Sequence, residues 1–128
     1  NNSYLLDVIK LISENNMQLV LTTDHGAVRV NNPVKVIGDK KTSANLRYKQ
    51  GRNLNYPAKE LFEVTDPGKI HLPKTNVSST YIFAGSNDYM VYQNNYNHFA
   101  NHFRNTFQHG GISLEEMIIP CAILSPIS

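Results

Sequence analysis

The sequence has a single cysteine, Cys121, among 128 residues, which excludes an intrachain disulfide. Its neighbours Met117, Ile118, Ile119, Ile123 and Leu124 are apolar, so the thiol is expected to be buried as a small hydrophobe, in a reducing cytoplasm. Long apolar runs are missing too. No stretch approaches the about 20 residues that span a bilayer, and Asn1-Asn2-Ser3 has neither the basic nor the apolar region of a signal peptide. A soluble, unexported, cytoplasmic protein without membrane insertion is expected. Charge of one sign is also scarce. Twelve basic and ten acidic residues leave a formal net charge of +2, too little for an electrostatic grip on nucleic acid. Any nucleotide specificity has to come from a local site.

What is present suits a globular fold, because 41% hydrophobic and 17% charged residues supply one core and argue against disorder. No repeat, low-complexity tract or linker divides residues 1–128, so one globular unit is expected. Ser3 is placed to cap a helix over residues 4–14, where Leu5, Val8, Ile9 and Ile12 form one apolar stripe. Residues 17–22 are a short, mostly apolar run, as expected of a strand buried on both faces of a parallel sheet. Helix, turn and central strand make half an α/β unit, and ligands in such sheets gather beyond the carboxyl ends of the strands. Thr23-Asp24-His25-Gly26 lies there.

Residues 27–51 turn polar and resemble an insertion, with strands expected at 34–37 and 45–48. A short helical piece is expected near residues 59–62. The runs 81–84 and 89–92 are aromatic-rich, and Gly85-Ser86-Asn87-Asp88 between them suits a hairpin. Tyr96, Phe99, Phe103 and Phe107 follow helical spacing. Ser113 with Glu116 three residues on reads as a capping box, and residues 118–124 as a closing strand.

Asp24 and His25 are of the side-chain types that bind zinc. Gly26 beside them permits unusual backbone angles and leaves room for an ion or phosphate. His109-Gly110-Gly111 offers a second histidine where the backbone can pass close to a ligand. Taken singly, each triplet also reads as a turn with an exposed histidine.

Together they carry more. A strand ending Thr22-Thr23-Asp24-His25-Gly26 and a later His109-Gly110-Gly111-Ile112-Ser113-Leu114-Glu115-Glu116 resemble the final signatures of the PglZ domain of the alkaline phosphatase superfamily. The stretch Val34 to Lys40 with Asn45-Leu46-Arg47-Tyr48-Lys49 is similar to the output domain of PorX-type two-component response regulators of Bacteroidetes. The resemblance implies the C-terminal portion of an alkaline-phosphatase-like sheet flanked by helices, with a β-rich insertion. It implies two divalent metal sites, zinc being the expected metal, with Asp24 and His25 at one and His109 at the other. A phosphate-ester or nucleotide substrate follows from it. The family's Thr or Ser nucleophile and remaining ligands have no counterpart; Asp7, Thr22 and Thr23 do not stand in their positions, so no catalytic residue is assigned. With so few ligands the chain by itself is expected to bind metal weakly and to hydrolyse nothing.

Arg47 and Lys49, with Arg52, form a basic cluster suited to a substrate phosphate or to a solvated loop edge. His98 and His102, four apart, lack the acidic partner of a helical zinc motif, and Tyr81, Tyr89, Tyr92 and Tyr96 suit core packing better than base stacking. The alternative function is a non-catalytic regulatory module binding protein partners in transcription or secretion. Open apolar strand edges also suit a homodimer.

Overall fold

The computed structural model describes residues 3–39, 42–74 and 76–126. Asn1 and Asn2 of the leader reading, and Lys40 of the PorX-like stretch, lie outside the described residues.

Two apolar layers, one on each side of a parallel strand pair, organise the centre. Strand β3 (Asn32–Val36) pairs in parallel with β7 (Asp88–Tyr92), from Asn32 opposite Asp88 to Val36 opposite Tyr92. Alternation along a pleat sends successive side chains to opposite faces. Val34, Val36 and Met90 therefore face Ile82, Ala84 and Leu61, while Tyr89 and Val91 pack with Val28 and Val30. Tyr89, Met90 and Val91 are all buried. This is the doubly covered strand that residues 17–22 were expected to supply.

Facing the first layer is an antiparallel sheet of order β4-β6-β5, made of Tyr48–Gly51, Thr80–Ala84 and Leu61–Val64. Three expectations change here. The strand expected at 45–48 starts at Tyr48, because the Asn45 side-chain oxygen accepts the amides of Arg47 (2.7 Å) and Tyr48 (3.2 Å) and folds 45–47 into a turn. The helical piece near 59–62 is a turn followed by β5, whose Leu61 and Val64 are buried against β6. The hairpin of 81–84 with 89–92 does not form, since β6 pairs with β4 and β5 while β7 pairs with β3. Arg47 takes the carbonyls of Gly85 and Ser86 in the connection between them and of Asp88 at the start of β7.

Helix α1 (Tyr4–Glu14) is capped by the Ser3 hydroxyl, which accepts the Leu5 amide at 3.3 Å. None of its residues is buried. Strand β1 (Leu19–Thr22) is antiparallel to β9 (Cys121–Leu124), and this ribbon is largely exposed. So the buried parallel strand expected at 17–22 is an exposed antiparallel one, and Cys121 is exposed instead of buried. No layer covers the ribbon among the described residues.

Helix α2 (Tyr96–Phe103) stops before Phe107, because Asn105 takes a left-handed φ of 64° and donates its amide to Val30 at 2.7 Å. Phe107 lies instead in β8 (Phe107–Gln108), antiparallel to β2 (Val28–Arg29). Helix α3 (Leu114–Met117) has the expected capping box of Ser113 and Glu116. The whole is mixed α/β, and no described helix is long and apolar enough to cross a membrane.

Candidate metal centre

The β2–β8 ladder ends at Val28 opposite Gln108, so the chains leaving it carry His25 and His109 to the same place. Their rings stack with centroids 3.7 Å apart and planes 11° from parallel. Both residues are exposed. A separation of 84 positions in sequence is closed by two residue pairs of sheet.

Asp24 follows the end of β1, where the chain leaves the pleat. Its Oδ1 accepts the His25 amide at 3.0 Å and the Thr23 hydroxyl at 3.3 Å. Oδ2 points the other way, 3.8 Å from His25 Nε2. The His25 Nδ1 lies 2.7 Å from the Gly26 carbonyl oxygen. A carbonyl only accepts, so Nδ1 carries the proton and Nε2 of the neutral ring keeps its lone pair. Hydrogen bonds from the backbone, first its own amide, and the neighbouring His25 lower the Asp24 pKa and favour its ionised form.

This donor set fits a pair of divalent ions. Two atoms each about 2.0–2.2 Å from one zinc stand at most about 4.4 Å apart, and Asp24 Oδ2 with His25 Nε2 meets that limit at 3.8 Å. An imidazole lone pair lies in its ring plane, and two stacked, nearly parallel planes do not meet at one ion. Such rings suit two neighbouring ions, and two-metal centres hold theirs about 3.5–4 Å apart, close to the 3.7 Å between the rings. Among the described residues no three metal-ligating side chains converge on one point, so these residues alone would give an ion an incomplete protein shell.

Glu116 fixes the loops that present these groups. Its backbone oxygen accepts the Gly26 amide at 3.0 Å. Its carboxylate accepts the Gly111 amide (2.9 Å), the Ser113 amide (3.1 Å) and the Ser113 hydroxyl (2.6 Å). One residue thus holds the chain beside His25 and the chain beyond His109. Opposite it stands Arg47, fully buried, whose Nε and Nη2 reach the two carboxylate oxygens at 2.8 and 2.6 Å. Burial alone would push the Glu116 carboxyl up. The hydrogen bonds from Arg47, Ser113 and Gly111 and the charge of Arg47 outweigh it and hold the group at about 2.

The glycines serve this packing. A Cβ on Gly26 would stand 1.9 Å from the Glu115 carbonyl oxygen, and its φ is not in the left-handed region. The room expected there for an ion or phosphate is filled by α3. Gly110 does need a glycine's freedom, at φ +103°, and a Cβ on Gly111 would meet Arg47, Glu116 and the Ala84 carbonyl within 2.8 Å.

Arg47 and Lys49 are buried and do not form a solvated loop edge. All five Arg47 N–H groups have protein acceptors: Glu116 twice, then the carbonyls of Gly85, Ser86 and Asp88. The Lys49 ammonium donates to the carbonyls of Ser43 and Asn45 and is also buried. Thr22 and Thr23 hydroxyls are engaged by the carbonyls of Pro120 and His25. His98 and His102 lie exposed on α2 with ring centroids 6.1 Å apart. Sequence reasoning missed Glu116 as the hub; its capping-box spacing was the visible signal, but nothing in the sequence pairs it with Arg47, 69 positions away.

A family model described as the BREX system PglZ alkaline phosphatase-like domain matches residues 3–124. No curated protein matches the chain. With the Asp24-His25 and His109 motifs brought together and nearly the whole length matched, the chain belongs to the PglZ family of alkaline-phosphatase-like domains.

Proposed function

We propose that this chain supplies ligands to the two-metal centre of a phosphoester hydrolase, Asp24 and His25 for one divalent cation, zinc by donor type, and His109 for its neighbour. The stacking of His25 on His109 at 3.7 Å carries this reading. When bound, paired cations supply the positive charge that offsets negative charge developing on a phosphoryl group. The chain's own residues do the positioning. Asp24 Oδ1 anchors the His25 backbone and leaves Oδ2 for the ion; the Gly26 carbonyl fixes the His25 tautomer; Glu116 holds both loops in register. The substrate class is a phosphate ester, a nucleotide included, and the setting as a response-regulator output domain rests on the sequence resemblance alone. Two ligands at one ion and one at the other are fewer than the usual three of catalytic zinc, so binding by this chain is weak.

Zinc titration against a chromophoric chelator tests the assignment. Asp24→Ala, His25→Ala and His109→Ala are each expected to weaken binding at least tenfold, as loss of a ligand exceeds the 10- to 100-fold cost of losing outer partners. His98→Ala is expected to leave it unchanged. Three ligand variants that bind zinc as the parent does overturn the reading.

A further inference from the structure

A cavity lies away from the histidines. At the carboxyl ends of the parallel strands β3 and β7 it opens, with a volume of about 580 Å³, between Val36, Leu46, Met90, Tyr92, Phe99 and Phe103, with Lys49 also in its wall. Its size falls within the range of roughly 300–1,000 Å³ of small-molecule sites. Its place is where ligands of parallel α/β sheets collect. Lys49 alternates along β4 with Tyr48, whose ring is the side chain a Cβ on Gly110 would meet. The pleat therefore turns Lys49 to the face opposite the His109 loop.

Lys49 is the unusual member of that wall. The residue is 1% exposed, yet no described carboxylate pairs with it. Two of its three N–H groups go to the carbonyls of Ser43 (3.2 Å) and Asn45 (2.6 Å), and its Nζ stands 4.2 Å from the centre of the Tyr92 ring. Tyr92 is itself held by its hydroxyl, which donates to the Ser43 carbonyl at 2.7 Å. A desolvated cation with only neutral partners is costly, and an anion beside it offsets that cost. Asp39 also borders the cavity, on its exposed rim.

From the cavity and the uncompensated ammonium, the geometry points to a binding site for a small amphiphilic monoanion, a carboxylate with an apolar body, its carboxylate towards Lys49 and its body among Leu46, Phe99 and Phe103. One ammonium balances one charge. A dianionic phosphate would leave net charge in an apolar chamber, so the site differs in ligand class as well as in place from the histidine pair.

Amide NMR titration of the chain with octanoate, and separately with octan-1-ol, tests this. Saturable shifts are expected at Val36, Lys49 and Tyr92, with octanoate at least tenfold tighter, the scale of a hydrogen bond to a charged group. Lys49→Met should bring octanoate down to the level of octan-1-ol and leave octan-1-ol unchanged. Equal affinities for the two probes in the parent chain overturn the site whether or not the variant folds. So do shifts confined to α1 and the β1–β9 ribbon, or a folded Lys49→Met chain that binds octanoate undiminished.

Discussion

Arg47 and Glu116 meet through two parallel hydrogen bonds of 2.8 and 2.6 Å, both side chains almost wholly out of water. This bidentate pair joins the turn before β4 to the loop after His109. Because the same Glu116 carries the Gly26 amide on its backbone oxygen, the pair also fixes the approach of His25 to His109.

Removing one partner should cost far more than removing both. Arg47→Ala leaves a buried carboxylate with only Gly111 and Ser113 as donors, and breaking a buried pair in this way costs about 3–5 kcal/mol. The double variant Arg47→Met with Glu116→Leu should recover part of that loss in stability, since apolar residues of similar volume replace buried pairs at little cost. It should not recover zinc affinity, because the Gly111 amide loses its anchor. Urea unfolding alongside zinc titration separates the two effects.

The pH dependence of stability follows from two shifted groups. Glu116 is held at about 2 in the fold against 4.5. A depressed carboxylate stabilises the fold fully above its unfolded value, so stability should fall as pH drops from about 4.5 towards 2. Burial lowers Lys49 to about 8 from 10.5. The folded chain thus binds fewer protons between these values, and stability should rise from about pH 8 upward. Above pH 10 the partly buried Tyr56, raised to about 12 by desolvation and by Glu63, opposes the gain. Urea midpoints across pH should show a maximum near pH 9 to 10, and Lys49→Met should flatten the rise between 8 and 10.

Local chemistry was legible in the sequence where neighbours along the chain decide it. The Ser3 cap and the Ser113–Glu116 box depend on residues within three positions, and both are present. The Asp24-His25 and His109 motifs were legible as separate triplets, but the ladder of Val28–Arg29 with Phe107–Gln108 that brings them together joins segments distant in the chain, which no local signal encodes. Where the partner is distant, periodicity misled. The run at 81–92 has every mark of a hairpin, yet Arg47 claims the carbonyls of its turn and β7 finds β3 instead. Residues 17–22 are apolar enough for a buried strand, but apolarity does not say what will cover them.

Gly26 tests how tightly the two loops are locked. A Cβ there would lie 1.9 Å from the Glu115 carbonyl oxygen, which is backbone and cannot swing away. Gly26→Ala should cost at least the about 1–3 kcal/mol of ordinary overpacking and separate His25 from α3, lowering zinc affinity with it. Gly85→Ala is the control, since nothing lies within 4 Å of a Cβ at that position. Equal thermal midpoints for the two variants would contradict the close packing.

The exposed face makes the last prediction. Val20 and Ile123 sit opposite each other on β1 and β9 and are 55% and 64% exposed, and Leu5, Val8 and Leu11 of α1 are each at least half exposed. Apolar patches of this kind mark contact surfaces, and β1 and β9 pair with no further strand among the described residues. Open edges with apolar faces pair with another chain, so the chain is expected to self-associate as a homodimer in a concentration-dependent way. Light scattering coupled to size exclusion should show mass rising with loading. Ile123→Lys places a charge on that face and should return the chain to monomer without touching the Arg47–Glu116 pair or zinc affinity. A parent chain that stays monomeric at millimolar concentration, or an Ile123→Lys chain that still associates, would show that this face is not the contact.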